Sequence, residues 1–452
     1  QTEEEILRGV REAKDLSEYD NLANAAYLRA KEDYLMGINF SRLLTLKYGN
    51  SISNYLGNKY TVVSVGRVMT CVLGMVVRRE REIREFVKTP FYRVIESVNV
   101  DGHTFTGEWR AVKGSAYFES PKLYKENGFK EKEEAKKLIA VLKEGTSPLT
   151  CRIVSIEKKK EKKNPPLLFN LAELQNECSK RFKISPDETL RIVQELYEKK
   201  LVTYPRTDAR VLSTAVSKEI TKNLNGLSKY QMAAPYMQDI LHYGAYKNLA
   251  KTRYVNDKQI TDHYAIIPTG QGMGNLRGLS PLSEKVYQVV CRRFLSIFYP
   301  AAIYQKYSLV LERKKEQFFA SFKVLSEPGY LKVADVNLAK KSSIQETFSD
   351  EKEGNSAQTD EKNAEIPKVD RTLLLQVLAD LKKNDILTIA DLKVKEGETS
   401  PPKRYTSGSM ILAMENAGQL IEDEELRAQI KGSGIGTSAT RAEILKKLVS
   451  IK

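Results

Sequence analysis

The sequence predicts a multidomain α+β protein in which helical segments alternate with a β-rich part. The chain has 452 residues, which is enough for about three domains of ~150 residues each. The period of the apolar residues switches along the chain, so that helices, strands, helices, strands and helices are predicted in that order. The sequence has no internal repeat. Such an order is typical of domains whose chain leaves and later returns.

The elements of the first part of the chain follow from this change of period. Residues 4–48 have apolar side chains at helical spacing, and a second helix is predicted from about Ser64 into the charged run RREREIREF. From Phe91 to Trp109 the residues alternate around Asp101-Gly102, which predicts a β-hairpin. Leu149–Ile156 is predicted to be a further strand that ends at the lysine-rich run EKKKEKK.

The rest of the chain is predicted to be helical, then stranded, then helical again. A helical block begins at Pro165-Pro166 and continues to about Pro300, and a last helical block begins at Tyr405. Between these blocks lie four predicted strands: Tyr304–Leu311, Phe318–Val324, Asp385–Ile389 and Ala390–Val394.

The charge of the chain is basic and unevenly distributed. The whole sequence carries a formal net charge of +15, with 73 Lys and Arg against 58 Asp and Glu. The segment Ser342–Ile366 contains seven acidic residues and two lysines, so it carries −5 and the remainder +20. Because this segment is polar and has one aromatic residue, we expect a disordered, solvated insert. The basic remainder favours a polyanionic partner, although composition alone allows ordinary solubility charge equally well.

Several classes of protein are excluded by composition. No uninterrupted apolar stretch approaches the ~20 residues of a membrane span, and the start of the chain has no secretory apolar region. The chain begins at Gln1 rather than Met and stops at Lys452 inside a helical pattern, so we expect a fragment. The cysteines lie far apart, which excludes CxxC pairs and predicts reduced intracellular thiols: Cys71, Cys151, Cys178 and Cys291.

The segment FKISPDETLRIVQELYEKKLVTYPRTD carries the candidate chemistry. Ser185 is predicted to cap a helix that is followed by a short strand, Leu201–Thr203. Pro205 favours an extended Tyr204 at the end of that strand. Arg206 follows, and a guanidinium there could favour the phenolate and hold a phosphate by bidentate hydrogen bonds. The chain has 23 tyrosines, most of them structural, so spacing alone favours a structural Tyr204 over a nucleophile.

A glycine-rich turn precedes the last predicted helix, in the segment GSGIGTSATRAEIL. Thr437 or Ser438 is predicted to cap that helix, and Arg441 falls in its first turn. Free backbone N–H groups at a helix start bind anions, so this turn with Arg441 is a candidate anion site. A glycine-rich turn of this kind is more often simply a helix cap.

Seven blocks of the sequence resemble type IA DNA topoisomerases, in particular the bacterial topoisomerase III branch, and they follow one another in the order found in that family. TYPRTD is similar to the active-site signature of that family. The other blocks are YDNLANAAYLRAKEDYLMGINFSRLLTLKYG, SVGRVMTCVLGMVVRREREI, NPPLLFNLAELQNE, DHYAIIPTG, SPPKRYTSGSMILAMENAG and GSGIGTSATRAEILKKL. The resemblance implies an ATP-independent enzyme that cleaves and rejoins single-stranded DNA, relaxing or decatenating DNA by strand passage.

The resemblance also implies roles for individual residues. Tyr204 would form a transient 5′-phosphotyrosyl link, Arg206 would stabilise the charge of that phosphate, and His263 would lie near it. Six further residues would contact DNA: Ser64, Arg67, Thr437, Arg441, Arg404 and Tyr405. Met69 stands where the family has a glutamine, and Ala209 stands where it has a serine, so polar contacts at these two positions are not expected.

The architecture implied by the resemblance is a toroidal core made of helical, winged-helix-like domains and a β-rich arch. Residues 1–88 and 396–452 would form a helical DNA-binding domain, residues 89–164 and 301–395 the arch, and residues 165–300 the helical domain with Tyr204. Mg²⁺ would bind to an N-terminal domain that this fragment lacks, and no metal site is expected within it. We expect a monomeric, cytoplasmic, nucleoid-associated bacterial protein whose partner is DNA, chiefly single-stranded.

Three alternatives remain at this point. As a fragment without the metal-binding domain, the chain could be a single-stranded DNA-binding module without turnover. A tyrosine recombinase or a nicking relaxase would also use a phosphotyrosine, but three scattered histidines disfavour the relaxase. A helical scaffold that merely resembles an enzyme is disfavoured because both Tyr204 and Arg206 are present.

Overall fold

A computed structural model describes residues 3–145, 147–260, 262–334, 345–346, 377–420, 424–429 and 434–450. The chain divides into two compact units, each made of separated segments. The first, called the helical unit, contains Gln1–Arg81, Pro166–Phe298 and Arg404–Lys452. The second, called the sheet unit, contains Glu82–Pro165 and Tyr299–Lys403. The multidomain α+β class is confirmed, and the finer division of the helical part into two domains stays a prediction.

Along the sequence, the helices of the helical unit lie before, between and after the two segments of the sheet unit. The first three helices are α1 (Glu3–Arg11), α2 (Asp20–Leu56) and α3 (Arg67–Arg84). The central ones are α5 (Leu171–Phe182), α6 (Pro186–Glu198), α7 (Thr214–Leu227), α8 (Ala234–Tyr243) and α9 (Pro281–Ser296). The last ones are α10 (Ser407–Glu415), α11 (Glu424–Gln429) and α12 (Arg441–Ser450). Among the described residues, no helix combines the length and the apolar character of a membrane span.

Polar caps fix where the helices near the candidate site begin. The side chains of Asn170, Ser185 and Ser213 each accept a hydrogen bond from a backbone N–H three residues later, at the starts of α5, α6 and α7. Such a bond satisfies one of the N–H groups that a helix leaves unpaired at its start. The predicted cap at Ser185 is thereby confirmed.

The sheet unit contains nine described strands, all of whose pairings are antiparallel. They are β1 (Pro90–Val100), β2 (His103–Arg110), β3 (Leu123–Lys125), β4 (Gly128–Phe129), β5 (Thr150–Lys163), β6 (Ala302–Arg313), β7 (Glu316–Glu327), β8 (Gln345–Glu346) and β9 (Ile386–Glu398). The order β2-β7-β6-β5-β9-β1 closes on itself through a β1–β2 pair. This ring of strands and α4 (Lys132–Lys143) surround an aromatic core that contains Phe105, Trp109, Phe318 and Phe322.

The predicted hairpin and strands of the sheet unit are confirmed, with two corrections. The hairpin turn has left-handed φ angles of 48° at Asp101 and 79° at Gly102, as its sequence predicts. The lysine run does not end a strand but continues it, since Lys158–Lys163 pairs with β6. The two strands predicted between 385 and 394 are one strand, β9, with a register shift at Ala390.

The predicted acidic insert, residues 342–366, lies outside the described residues except for two. Gln345 and Glu346 form β8, which pairs with Phe322 and Lys323 of β7. The predicted disorder of the insert therefore stays a prediction.

One buried carboxylate in the sheet unit gives a test of this packing. Glu316 accepts hydrogen bonds from Trp109 Nε1 at 2.6 Å, Ser115 Oγ at 2.6 Å and Ala116 N at 2.8 Å. We predict that Glu316→Ala lowers the free energy of unfolding by about 3 kcal/mol, because it leaves buried donors unpaired. Trp109 is the chain's single tryptophan, so urea titration followed by its fluorescence measures the change in this unit.

The matched control is Glu312→Ala, which removes a partly exposed partner of Arg152 on the neighbouring strand. Because a pair of this kind contributes at most about 1 kcal/mol, Glu312→Ala should lower the free energy of unfolding much less than Glu316→Ala does. Equal losses in the two variants would contradict the assignment of Glu316 as the buried acceptor.

Candidate active site

The segment that carries Tyr204 is joined to the segment that carries His263. Thr203 N donates to Ile267 O at 3.0 Å, and Thr203 Oγ1 donates to Ala265 O at 3.1 Å. The same hydroxyl accepts from Ile267 N at 3.0 Å. A short antiparallel connection between two distant stretches of sequence therefore brings the two candidate catalytic residues together.

The ring of Tyr204 is held between two other rings. Its centroid lies 4.4 Å from that of His263, with the planes tilted by 43°. Tyr197, from the last turn of α6, meets it edge-to-face at 5.5 Å. Tyr197 is itself exposed. Contacts of this kind restrict the orientation of an aromatic side chain, so the phenol has a defined direction.

Arg206 differs from most arginines of this unit because its guanidinium is available. It is exposed and makes no hydrogen bond or ion pair with any residue in the part of the chain that the structure describes. An unpaired guanidinium two residues after Tyr204 has its full set of donors for a planar anion such as phosphate.

Thr207 connects the Tyr204 segment to His263. Its hydroxyl donates to His263 O at 2.8 Å and accepts from Ala209 N at 3.0 Å. Its carbonyl accepts from Leu171 N, at the start of α5, at 3.1 Å. The residue is only 4% exposed, so these bonds are shielded from competing water. Sequence reasoning missed this role, although Thr207 belongs to the TYPRTD signature.

Asp208 and Arg441 form an ion pair in the helical unit. Arg441 Nη1 donates to Asp208 Oδ1 at 3.1 Å, and its other nitrogens donate to Ile435 O at 3.2 Å and Gly436 O at 3.1 Å. Arg441 is only 4% exposed. The three nitrogens of this guanidinium are therefore already bonded within the protein. The predicted phosphate contact of Arg441 stays a prediction.

A second pair of polar residues lies beside this ion pair. Asn170 Nδ2 donates to Asp208 O at 3.1 Å and to Glu415 Oε1 at 2.6 Å. Burial raises the pKa of Glu415, while the positive charge of Arg441 opposes that rise. The carboxylates of Asp208 and Glu173 add to the rise.

Tyr204 and His263 line an open cleft of roughly 1570 Å³ within the helical unit. Three cationic side chains, Arg8, Lys200 and Lys218, lie along it. Of the acidic residues there, Asp257 accepts hydrogen bonds from Thr214 N at 2.8 Å and from Thr214 Oγ1. Because the lining also contains three acidic residues, Glu198, Asp257 and Asp262, its net charge alone does not select a polyanionic ligand.

Comparisons with known proteins agree with this geometry. The sequence profile of the DNA topoisomerase family matches residues 17–452. DNA topoisomerase 3 of Bacillus subtilis is 31% identical over 451 residues, covering 99% of this chain and 54% of that protein. DNA topoisomerase 3 of Shouchella clausii is 30% identical, covering 99% and 53%. The chain belongs to the type IA DNA topoisomerases.

The topoisomerase fold is also found in a solved structure, that of full-length topoisomerase I from Thermotoga maritima. The TM-score is 0.54 at 23% identity, covering 91% of this chain and 55% of that one. The chain spans about half the length of the curated topoisomerases that it matches.

Two of the remaining predicted DNA contacts, Arg67 and Arg404, lie along α3. Arg67, at the start of α3, is bidentate to Asp33, with Nε–Oδ1 at 2.8 Å and Nη2–Oδ2 at 3.0 Å. Arg404 is likewise bidentate to Glu80. These hydrogen bonds raise the pKa of both arginines. Each guanidinium is thus already oriented by a carboxylate, whose geometry resembles that of a phosphate.

Three further predicted contacts have different surroundings. Ser64 is exposed, just before α3. The ring of Tyr405 lies under the guanidinium of Arg79 at 4.4 Å, and its hydroxyl accepts from Arg79 Nη2 at 3.2 Å. Thr437 does not cap α12 directly, because it forms a turn with Thr440 and the helix begins at Arg441.

The described residues of this chain do not fit a magnesium site. A divalent ion needs several oxygen ligands that converge, and no three His, Cys, Asp or Glu side chains converge in the described ranges. No step of the chemistry is therefore derived through a metal held by these residues.

The raised pKa of Glu415 gives a pH-dependent prediction. A carboxyl whose pKa is higher in the folded state than in the unfolded state contributes stability at low pH and loses it as pH rises through the folded value. We predict that Glu415→Gln, which keeps an acceptor for Asn170, flattens the loss of thermal stability between pH 4.5 and pH 7. Melting temperatures of the two proteins across this range measure the difference. A steeper loss in the variant would contradict the prediction.

Proposed function

We propose that the protein containing this chain changes DNA topology by cleaving and rejoining single-stranded DNA through Tyr204. The observation that carries the proposal is the arrangement at the cleft. The Tyr204 ring is fixed against His263, and an unpaired, exposed guanidinium follows two residues later.

The reaction is a transesterification at a backbone phosphate. Tyr204 Oη forms a bond to phosphorus, the bond from phosphorus to the 3′ oxygen breaks, and the proton lost by the phenol is balanced by the one that the leaving 3′ oxygen gains. The products are a 5′-phosphotyrosyl link and a free 3′ hydroxyl, and the reverse attack by that hydroxyl reseals the strand. Because one phosphate ester replaces another, bond energy is conserved and no ATP is required. The open strand lets a second strand pass.

Arg206 and His263 have distinct supporting roles in this proposal. Arg206 donates to the non-bridging oxygens, whose negative charge increases as phosphorus becomes five-coordinate. His263 orients the phenol through the ring contact and is itself held at its carbonyl by Thr207.

The finer properties are proposed from the family resemblance. We propose a requirement for Mg²⁺ that is met by acidic residues other than those described here. Single-stranded DNA is the proposed preferred substrate, and a monomer in the bacterial cytoplasm at the nucleoid is the proposed state. Arg67, Arg404, Tyr405 and Ser64 would then bind the DNA backbone, with the carboxylates of Asp33 and Glu80 giving up their arginines to phosphates.

A second candidate function is single-stranded DNA binding without turnover by the 452-residue chain alone. It is favoured by the lack of a converging carboxylate cluster among the described residues. Incubation of this chain with a labelled oligonucleotide and Mg²⁺ distinguishes the two candidate functions. A covalent Tyr204 adduct would exclude binding without turnover.

We predict that Tyr204→Phe abolishes relaxation of negatively supercoiled plasmid by the full-length protein with Mg²⁺, because no oxygen remains to attack phosphorus. Oligonucleotide affinity should stay within about threefold, since one hydroxyl contributes little to ground-state binding. The control is Tyr55→Phe, which alters a ring on α2 that is 89% exposed and should relax plasmid normally. Equal relaxation by Tyr204→Phe and the wild-type protein would refute the proposed nucleophile.

We predict that Arg206→Ala slows single-turnover cleavage of an oligonucleotide by about 100-fold or more, as expected for loss of a transition-state donor. Arg206→Lys should recover part of the rate because it restores the charge but not the bidentate geometry. The control is Arg210→Ala, whose guanidinium is paired with Glu173 at 3.0 Å. A rate loss in Arg210→Ala equal to that of Arg206→Ala would contradict the special role of Arg206.

A further inference from the structure

We infer that Arg441, with Asn170 and Glu415, is a positioning residue that fixes the Tyr204 segment through Asp208. This inference rests on the proposed function, because it concerns the geometry of the same nucleophile. It assigns to Arg441 a role different from the DNA contact that its motif predicts.

The first argument is the state of the guanidinium. All three nitrogens of Arg441 are hydrogen-bonded, two of them to carbonyls of the turn that precedes its own helix and one to Asp208. The buried cation has one carboxylate in its hydrogen-bond shell, while that carboxylate remains half exposed. A buried charge depends strongly on its partner, whereas an exposed carboxylate gains little from pairing. The ion pair therefore mainly compensates the buried charge of Arg441. It also holds the side chain of Asp208 in place.

The second argument is the shape of the turn. A Cβ atom at Gly434 would lie 2.7 Å from Arg441 Nη2 and 2.7 Å from the carbonyl oxygens of Met414 and Glu415. Ile435 N also donates to Met414 O at 2.8 Å. The turn is thus packed against the end of α10 so closely that a side chain does not fit. This close packing sets the guanidinium beside the Tyr204 segment.

The third argument is that Asp208 is held at both its side chain and its backbone. While Arg441 binds its carboxylate, Asn170 Nδ2 donates to its carbonyl and also to Glu415 Oε1. Asn170 is 1% exposed, and its own carbonyl oxygen Oδ1 caps α5. Two separate stretches of sequence, at 170 and 441, therefore converge on one residue of the TYPRTD segment, and Glu415 acts one step away by accepting a hydrogen bond from Asn170.

A short path leads from Asp208 to the reacting groups. Thr207 N donates to Pro205 O at 3.0 Å, which makes the chain between Tyr204 and Asp208 a tight turn. Thr207 also holds the carbonyl of His263. A shift of Asp208 would therefore move Tyr204 relative to His263, and misplacement by about 1 Å can cost two orders of magnitude in rate.

The test compares three variants of the full-length protein: Arg441→Gln, Asp208→Asn and the matched control Lys446→Gln, whose side chain is exposed on the same helix. At saturating oligonucleotide, we expect Arg441→Gln and Asp208→Asn each to slow single-turnover cleavage by about 100-fold. Their dissociation constants should change by less than about threefold. The double variant should be no slower than the slower single one, because both remove the same interaction. Lys446→Gln should cleave normally.

A phosphate contact would give the opposite pattern. Arg441→Gln would then bind oligonucleotide more weakly, with a salt dependence reduced by about one unit of slope. Cleavage at saturation would stay near the wild-type rate. That result would overturn the inference. Asp208→Asn is the deciding variant if Arg441→Gln fails to fold, because Asp208 lies on the exposed side of the pair.

A spectroscopic measurement separates failure of this inference from failure of the proposed function. The chain has three histidines, so the ring signals of His263 can be assigned by substitution in NMR spectra. Because the Tyr204 ring lies 4.4 Å away, we expect Asp208→Asn to shift these signals toward their position in Tyr204→Leu. Unchanged His263 signals would overturn the inference whether or not the protein cleaves DNA. If the wild-type protein is inactive while the His263 signals do shift in Asp208→Asn, only the proposed function is refuted.

Discussion

The candidate site depends on one connection, the pairing of Thr203 with the segment from Ala265 to Ile267. Three hydrogen bonds within it use a backbone N–H and one hydroxyl that both donates and accepts. A threonine serves here because its branched side chain suits an extended backbone and its hydroxyl replaces a missing ladder bond. Without this pairing, Tyr204 and His263 would lie on separate loops, and the phenol would have no fixed direction.

The candidate residues of the site could be predicted from the sequence, but the hydrogen bonds and ion pairs that hold them in place could not. TYPRTD and DHYAIIPTG identify Tyr204, Arg206 and His263 because local order alone carries the resemblance. The partners of Asp208 lie 38 residues before it and 233 residues after it. Such pairing is decided by tertiary packing, which cannot be predicted from the spacing of apolar residues along the sequence. Arg441 shows the consequence, since its motif predicts an exposed anion site while the packing of its turn buries it.

The same distinction explains which strands were predicted correctly. The β1–β2 hairpin follows from Asp101-Gly102, whose left-handed angles are a local property. The lysine run from 158 to 163 has low strand propensity, yet it forms a ladder with β6 because the partner strand provides its backbone bonds. In β9 the extra residue Ala390 interrupts the alternation, so a continuous strand was divided in two.

Four arginines of the helical unit illustrate three electrostatic states, and these states follow from exposure and partners. Arg206 is exposed and unpaired among the described residues, so binding a phosphate costs it no existing bond. Arg67 and Arg404 are held by carboxylates near the surface, where pairing contributes little, so a phosphate can replace the carboxylate at small cost. Arg441 is buried, and a phosphate would have to displace its bonds to Asp208, Ile435 and Gly436. Only the first two states suit an anionic strand that must bind and leave, whereas the third suits a part of the site that must not move.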